Sequence, residues 1–308
     1  MANSDKDRLS FAHDGRDWPH RDASRFVEVG DLRWHLQRFG APLADGKPVI
    51  LLVHGTGAAT HSWRDVAPDL ARDHTVLSVD LPGHGFSDPL PRGQLSLPGM
   101  ARALQALLTQ LNVTPTIVVG HSAGAAVLAR MVIDHAAIGA PTPKLLVSLN
   151  GAFLPFEGWA GHLFPPMAKL LFLNPLAPRL FAWSADEPAA RRLLEGTGSK
   201  IDALGVKLYA RLFGNAAHVA GALGMMANWD LEPLVRDLAK LTIPVALVSA
   251  SYDRAVPPEA AKTVAARLPN AEVTLLRALG HLAHEEQPEL VADLILKLAA
   301  KLDVQSVA

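Results

Sequence analysis

The chain alternates two kinds of apolar pattern. Pro48–Val53 is a continuous apolar run, as expected of a strand covered on both faces, and Lys144–Leu149 reads as a further buried strand. Strands are also predicted over His74–Asp80, Thr116–Val119, Val245–Ser249 and Val273–Leu276, and Phe26–Val29 and Leu32–Gln37 flank the turn Gly30-Asp31 as a strand pair. Between the later runs the period lengthens. Leu104, Leu107, Leu108 and Leu111 recur at helical spacing within Leu97–Leu111. Helices are further predicted over Trp63–Leu70, from Ser122 through Ile133, over Glu259–Leu268 and over Pro288–Leu302. Strands alternating with helices at this spacing pair in parallel through right-handed crossovers. The pattern predicts an α/β fold with a mostly parallel eight-stranded sheet flanked by helices.

The alternation pauses at Asn150. From Gly151 to Asn228 there is no strand pattern; aromatic residues are scattered among prolines, and helical stretches follow at 188–194, 200–213 and 219–226. This predicts a helical lid inserted after the sixth strand. The chain then divides into a polar N-terminal arm (1–25), expected to be loosely attached, a first part of the core (26–150), the lid (151–228) and a second part of the core (229–308). Three roles are open for the lid aromatics. They could form the lid's own core. Phe153, Phe156, Trp159, Phe164 and Trp183 could roof a large apolar pocket. The series Leu163–Trp183, punctuated by Lys169, Asn174 and Arg179, could contact a membrane surface, although its prolines argue against one long amphipathic helix. Met226 and Trp229, at the lid exit, are candidates for pocket or core.

Composition narrows the function. The 308 residues are 49% hydrophobic and 19% charged with a formal net charge of -1, so nothing draws the chain to nucleic acid. There is no cysteine, which excludes disulfides, cysteine nucleophiles and cysteine-ligated zinc. The polar start Met1–Arg8 lacks an apolar signal-peptide core, and no apolar run is long enough to span a bilayer. The expectation is a cytoplasmic protein.

The chemistry sits where strands end. Gly120-His121-Ser122-Ala123-Gly124 lies between a strand and a helix, a Gly-x-Ser-x-Gly turn that thrusts one serine upward. Asp253 follows the Val245–Ser249 strand, and Gly280-His281 follows the last strand. Ligands of open parallel sheets bind beyond these strand ends, and Ser, Asp and His occur in the chain order of an α/β-hydrolase triad. A serine hydroxyl needs an imidazole to take its proton and a carboxylate to fix the imidazole tautomer. Ser122 is therefore the candidate nucleophile, His281 the base and Asp253 the orienting acid. The developing oxyanion needs backbone N–H donors, for which Ala123 and Thr56 are the candidates. Rivals exist: His284 for the base, three residues on, and Asp230 for the acid, though Asp230 does not follow a strand. His54 and His84 read as loop braces, with His54, His121 and His284 also candidates for the pocket wall. No ligand spacing supports a metal site, and no cofactor is expected.

The stretches Asp17-Trp18-Pro19-His20-Arg21, His54–Trp63, Asp80-Leu81-Pro82-Gly83-His84-Gly85, Gly120–Ala126, Leu180–Trp183, Gly196-Thr197-Gly198-Ser199, Met225–Trp229 and Gly280–Glu285 together resemble the α/β-hydrolase superfamily. Within it they are similar to the magnesium-chelatase-associated hydrolases encoded among bacteriochlorophyll biosynthesis genes. The resemblance covers residues 17 to 290, lid included. It implies an association with magnesium insertion into protoporphyrin IX or a nearby tetrapyrrole step. The implied partners are an apolar small molecule such as a porphyrin, magnesium chelatase, and the photosynthetic membrane touched peripherally through the lid. The magnesium would belong to the pathway, not to this chain. A flat macrocycle would bury apolar area against Phe and Trp, and its propionates would want cations such as Arg179, Arg191, Arg192 or Arg254. Three functions remain open: a serine hydrolase of a large apolar ester, a non-catalytic porphyrin-binding accessory protein, and a membrane-peripheral scaffold.

Overall fold

A computed structural model describes residues 8–155, Leu171, Asn174 and residues 176–305, with side chains given through Leu302. Phe156, Trp159 and Phe164 lie outside the described residues. Eight strands, β1 Ser24–Val29, β2 Leu32–Phe39, β3 Val49–Val53, β4 Thr75–Val79, β5 Ile117–His121, β6 Leu145–Leu149, β7 Val245–Ala250 and β8 Ala271–Leu276, form one sheet in the order β1-β2-β4-β3-β5-β6-β7-β8. β1 and β2 pair antiparallel, as do β2 and β4, and the remaining pairs are parallel. The eight strands read from the apolar pattern are all present.

The helices are α1 Ala67–Leu70, α2 Leu97–Gln110, α3 Ala123–Ala137, α4 Ala177–Ser184, α5 Glu187–Gly196, α6 Ala203–Phe213, α7 Ala216–Ala227, α8 Glu232–Asp237, α9 Glu259–Ala265, α10 Ala283–Glu286 and α11 Pro288–Gln305. One apolar core packs α2 and α3 on the sheet through Leu104, Leu107, Val127 and Met131; the other packs α1 and α11 on its opposite face through Leu70, Val291 and Ile295. The central strands β3 to β6 are buried along their whole length, the burial their unbroken apolar composition demands.

The helical insertion after β6 is present, with differences in detail. The helix predicted over Trp63–Leu70 is instead a 3-10 turn at Thr60–Trp63 followed by α1; Pro68, lacking an N–H, fits the first turn of a new helix better than the interior of a longer one. α4 was hidden in the sequence by its proline, yet Pro178 sits in the first turn, where it costs no hydrogen bond. From residue 8 onward the N-terminal arm is packed onto the body rather than loose. Trp18 is buried, its indole N–H donates to Thr60 Oγ1 at 3.1 Å, and its ring packs edge-on against Phe86. Arg211 of α6 pairs with Asp17 at 2.7 Å, and Arg8 pairs with Asp88. An arm of polar composition is held by a few apolar rings and the charges around them.

Candidate active site

β5 ends at His121 and α3 begins at Ala123, so Ser122 makes the turn alone. It adopts φ 51° and ψ −119°, a region a serine enters only under constraint, at a cost of about 1–3 kcal/mol. The constraint is visible. The Ser122 N–H donates to Leu149 O at 3.0 Å, and its carbonyl accepts from the Ala125 and Ala152 N–H groups at 3.2 and 3.1 Å. Close approach fixes the flanking glycines: a Cβ on Gly120 would lie 2.5 Å from the Ala125 backbone, and one on Gly124 2.4 Å from Val53 O.

The loop after β3 runs beside this turn. Gly55 passes so close that a Cβ there would lie 2.9 Å from both Ser122 Cβ and His121 Nδ1. Ala123, at the first position of α3, and the partly exposed Thr56 therefore flank the serine. The loop is braced from behind. His54 Nδ1 donates to Gly55 O at 2.7 Å and its Nε2 accepts the Leu81 N–H at 2.9 Å. His54 is wholly buried, so it is a brace and not a pocket group. His218 of α7 likewise accepts the Gly85 N–H at 3.1 Å and donates to Gly57 O at 3.1 Å.

Asp253 and His281 come from the loops after β7 and β8. Asp253 Oδ1 accepts the Ala255 and Val256 N–H groups, each at 2.8 Å, and Oδ2 faces His281 Nδ1 at 2.8 Å. A carboxylate can only accept, so Nδ1 carries the proton and Nε2 keeps its lone pair. The His281 carbonyl accepts from His121 Nε2 at 2.9 Å and from Asn150 Nδ2 at 3.0 Å. The base loop is thus tied to the residue preceding Ser122. Asn150, at φ 49° off the end of β6, was not singled out in the sequence; a polar residue directly after a buried strand was the available signal.

The rivals are placed elsewhere. His284 lies buried between the rings of Trp63 and His121, at centroid distances of 4.6 and 4.5 Å, and neither of its nitrogens makes a hydrogen bond among the described residues. Burial pushes it down to about 3, so it is a neutral packing ring. Burial likewise lowers His54, His121 and His218, the last to about 4. Asp230 is exposed and accepts the Glu232 N–H at 3.0 Å. Next to His284, Glu285 is buried against Arg64 Nη1 at 2.7 Å and the Tyr209 hydroxyl at 2.8 Å. Burial pushes Glu285 up to about 7 against the opposing pull of Arg64.

Two aromatic candidates differ in their surroundings. Phe153 is buried in the main core beside α3. Trp183 is 88% exposed on α4. Trp229 is half-buried against the main core. Met226 is partly buried, and it is its neighbour Met225 that reaches the site, with its sulfur 3.7 Å from Thr56 Oγ1. Among the described residues no group of three His, Asp or Glu is placed to hold a metal, and no helix is long and apolar enough to cross a membrane.

A serine on a strained strand-to-helix turn, with a buried Asp–His pair at the same edge of a mostly parallel sheet, defines a hydrolase architecture. A family model described as the alpha/beta hydrolase fold matches residues 48–288. The chain belongs to that family and is an enzyme of the serine-hydrolase type. It is 40% identical over 280 residues to the "Magnesium-chelatase 30 kDa subunit" of Rhodobacter capsulatus, covering 91% of this chain and 95% of that protein. It is 26% identical over 252 residues to the "Uncharacterized hydrolase YugF" of Bacillus subtilis, covering 80% and 88%. A solved structure of a putative lipase from Acinetobacter baumannii shares the fold with a TM-score of 0.76 at 20% identity, covering 97% of this chain and 98% of that one.

Proposed function

We propose that the protein is a serine hydrolase that cleaves an ester of a large apolar, tetrapyrrole-derived molecule in a pathway of magnesium chelation. The observation that carries the catalytic half is the 2.8 Å bond between Asp253 and His281, at the sheet edge where Ser122 is held in its strained turn. In this mechanism Ser122 Oγ attacks the ester carbonyl and His281 Nε2 takes its proton. Asp253 keeps the imidazole in the required tautomer and balances its charge. The Ala123 and Thr56 N–H groups receive the oxyanion. Collapse expels the alcohol, protonated by His281, and leaves an acyl group on Ser122. A water deprotonated by the same imidazole then frees the acid.

The substrate half is supported by the 40% identity to a protein whose name places it with magnesium chelatase. The exposed Leu176, Leu180 and Trp183 of the outer lid support peripheral contact with a membrane, where such a substrate would dissolve. The test is deletion of the protein from its host and complementation with Ser122→Ala. The expected result is failure to complement, with an esterified pigment intermediate accumulating by mass spectrometry. Full complementation by Ser122→Ala would overturn the catalytic reading in favour of a porphyrin-binding accessory role.

A further inference from the structure

The turn Thr197-Gly198-Ser199 belongs to the lid, between α5 and α6, but its contacts are with the two loops that carry Asp253 and His281. On one side the Arg254 N–H donates to the Thr197 carbonyl at 3.0 Å. On the other the Leu282 N–H donates to Ser199 Oγ at 2.8 Å, and Ser199 is wholly buried. Arg254 directly follows Asp253, and Leu282 directly follows His281. Between the two bonds Gly198 has φ +89°, and a Cβ there would lie 1.9 Å from Tyr252 O. A Cβ on Gly280 would lie 2.3 Å from Gly198 O. Three backbones meet with no room for a methyl group.

The two loops also bond to each other, but only up to a point. The Ser251 N–H donates to Leu276 O at 2.9 Å and the Tyr252 N–H to Leu279 O at 2.8 Å, and there the described backbone bonding between them stops. One residue further on stand Asp253 and, two further, His281. Past that point the lid turn bridges the loops, through the Thr197 carbonyl on one side and the Ser199 hydroxyl on the other. Apolar packing seats it, since Ala190, Leu194, Val206 and Tyr209 of the lid form one cluster with Leu282 and with Ala58 of the loop after β3.

We propose that Thr197-Gly198-Ser199 is a positioning clamp, which holds the acid loop and the base loop in register so that His281 faces Ser122 only while this turn of the lid is seated. Its consequence for the reaction rests on the serine-hydrolase reading; its consequence for the Asp253–His281 bond does not. A small misplacement of a catalytic group is enough to slow the chemical step without touching ground-state binding.

The test uses the full chain with Ser199→Ala, which removes the buried acceptor, and Asp186→Ala, which removes the N-terminal cap of α5 in the same lid without touching the turn. Two readouts are taken. One is the low-field proton resonance of His281 Nδ1–H, assigned by its loss in His281→Ala. The other is turnover of p-nitrophenyl butyrate. In Ser199→Ala the resonance should broaden or move, and kcat should fall about tenfold with KM unchanged, while Asp186→Ala matches the wild type. Gly198→Ala should lose the resonance altogether if it folds. A wild-type resonance and kcat in Ser199→Ala would overturn the clamp, as would an equal loss in Asp186→Ala. If the wild type turns over no ester, the hydrolase reading fails, and the resonance alone still decides the clamp.

Discussion

The two ends of the lid meet the body of the protein in different ways. The inner part, from Gly196 to Ala227, is built into the loops that carry the candidate acid and base. Its turn at 197–199 bonds to the residues after Asp253 and His281, Tyr209 reaches Glu285, and His218 braces Gly57 in the loop that carries Thr56. The outer helix α4 packs on α7 and leaves Leu176, Leu180 and Trp183 in solvent. The difference teaches that this insertion is not one flap. Its inner part belongs to the construction of the site, and its outer part is a surface.

Substitutions should separate the two. Of the substitutions, Gly198→Ala is expected to have the largest effect, about 3 kcal/mol or more of lost stability, because the new Cβ meets backbone in a conformation that favours glycine. Urea denaturation measures it. A loss below about 1 kcal/mol would mean that the inner turn is not locked in place.

Acid should loosen the body beneath the lid as well, together with His218 of the inner part. The buried rings of His54, His61, His84, His121, His218 and His284 all lie below their ordinary value of 6.5, chiefly through burial. The unfolded chain therefore binds more protons than the folded one once the pH falls below 6.5. Each such ring withdraws about 1.4 kcal/mol per pH unit until its folded pKa is reached. Glu285, raised to about 7 from 4.5, works the other way, its contribution being lost as the pH rises through that window. Six rings outweigh one carboxyl, so stability should drop steeply between pH 6.5 and about 4. A flat profile over that range in thermal unfolding would contradict the burial of these rings as neutral groups.

Tyr209→Phe is second among the substitutions. It strips Glu285 Oε1 of its hydroxyl donor in a buried site, at an expected cost of about 1–3 kcal/mol. Trp183→Ala is the smallest, within about 0.5 kcal/mol for so exposed a side chain. If the outer surface meets a bilayer, the same substitution should lower co-sedimentation with anionic liposomes while leaving the melting temperature in place.

What the sequence made legible follows the range of the interactions. The strands could be read because burial on both faces forces unbroken apolar runs, as in Val49–Val53. The serine turn could be read because its glycines answer to steric demands within a few residues. Asp253 and His281 could be read because chain order and strand ends place them. The lid aromatics could not, since an aromatic ring has the same composition whether it fills a core, as Phe153 does, or faces solvent, as Trp183 does. The turn at 197–199 showed itself only as part of the family resemblance, and its contacts were not legible. Its Gly and Ser look like any loop until backbones some fifty and eighty residues away are brought against them. The N-terminal arm misled for a related reason, because one buried Trp18 outweighs the polar residues around it.

The central claim is that Ser122 is a nucleophile activated by His281 and Asp253. Covalent labelling by a fluorophosphonate probe, followed by intact-mass spectrometry, tests it most directly. The wild type should gain one adduct on Ser122, Ser122→Ala should gain none, and Asp253→Asn should label slower by about four orders of magnitude. A folded wild type that stays unlabelled, or Ser122→Ala labelled as fully as the wild type, would contradict the account.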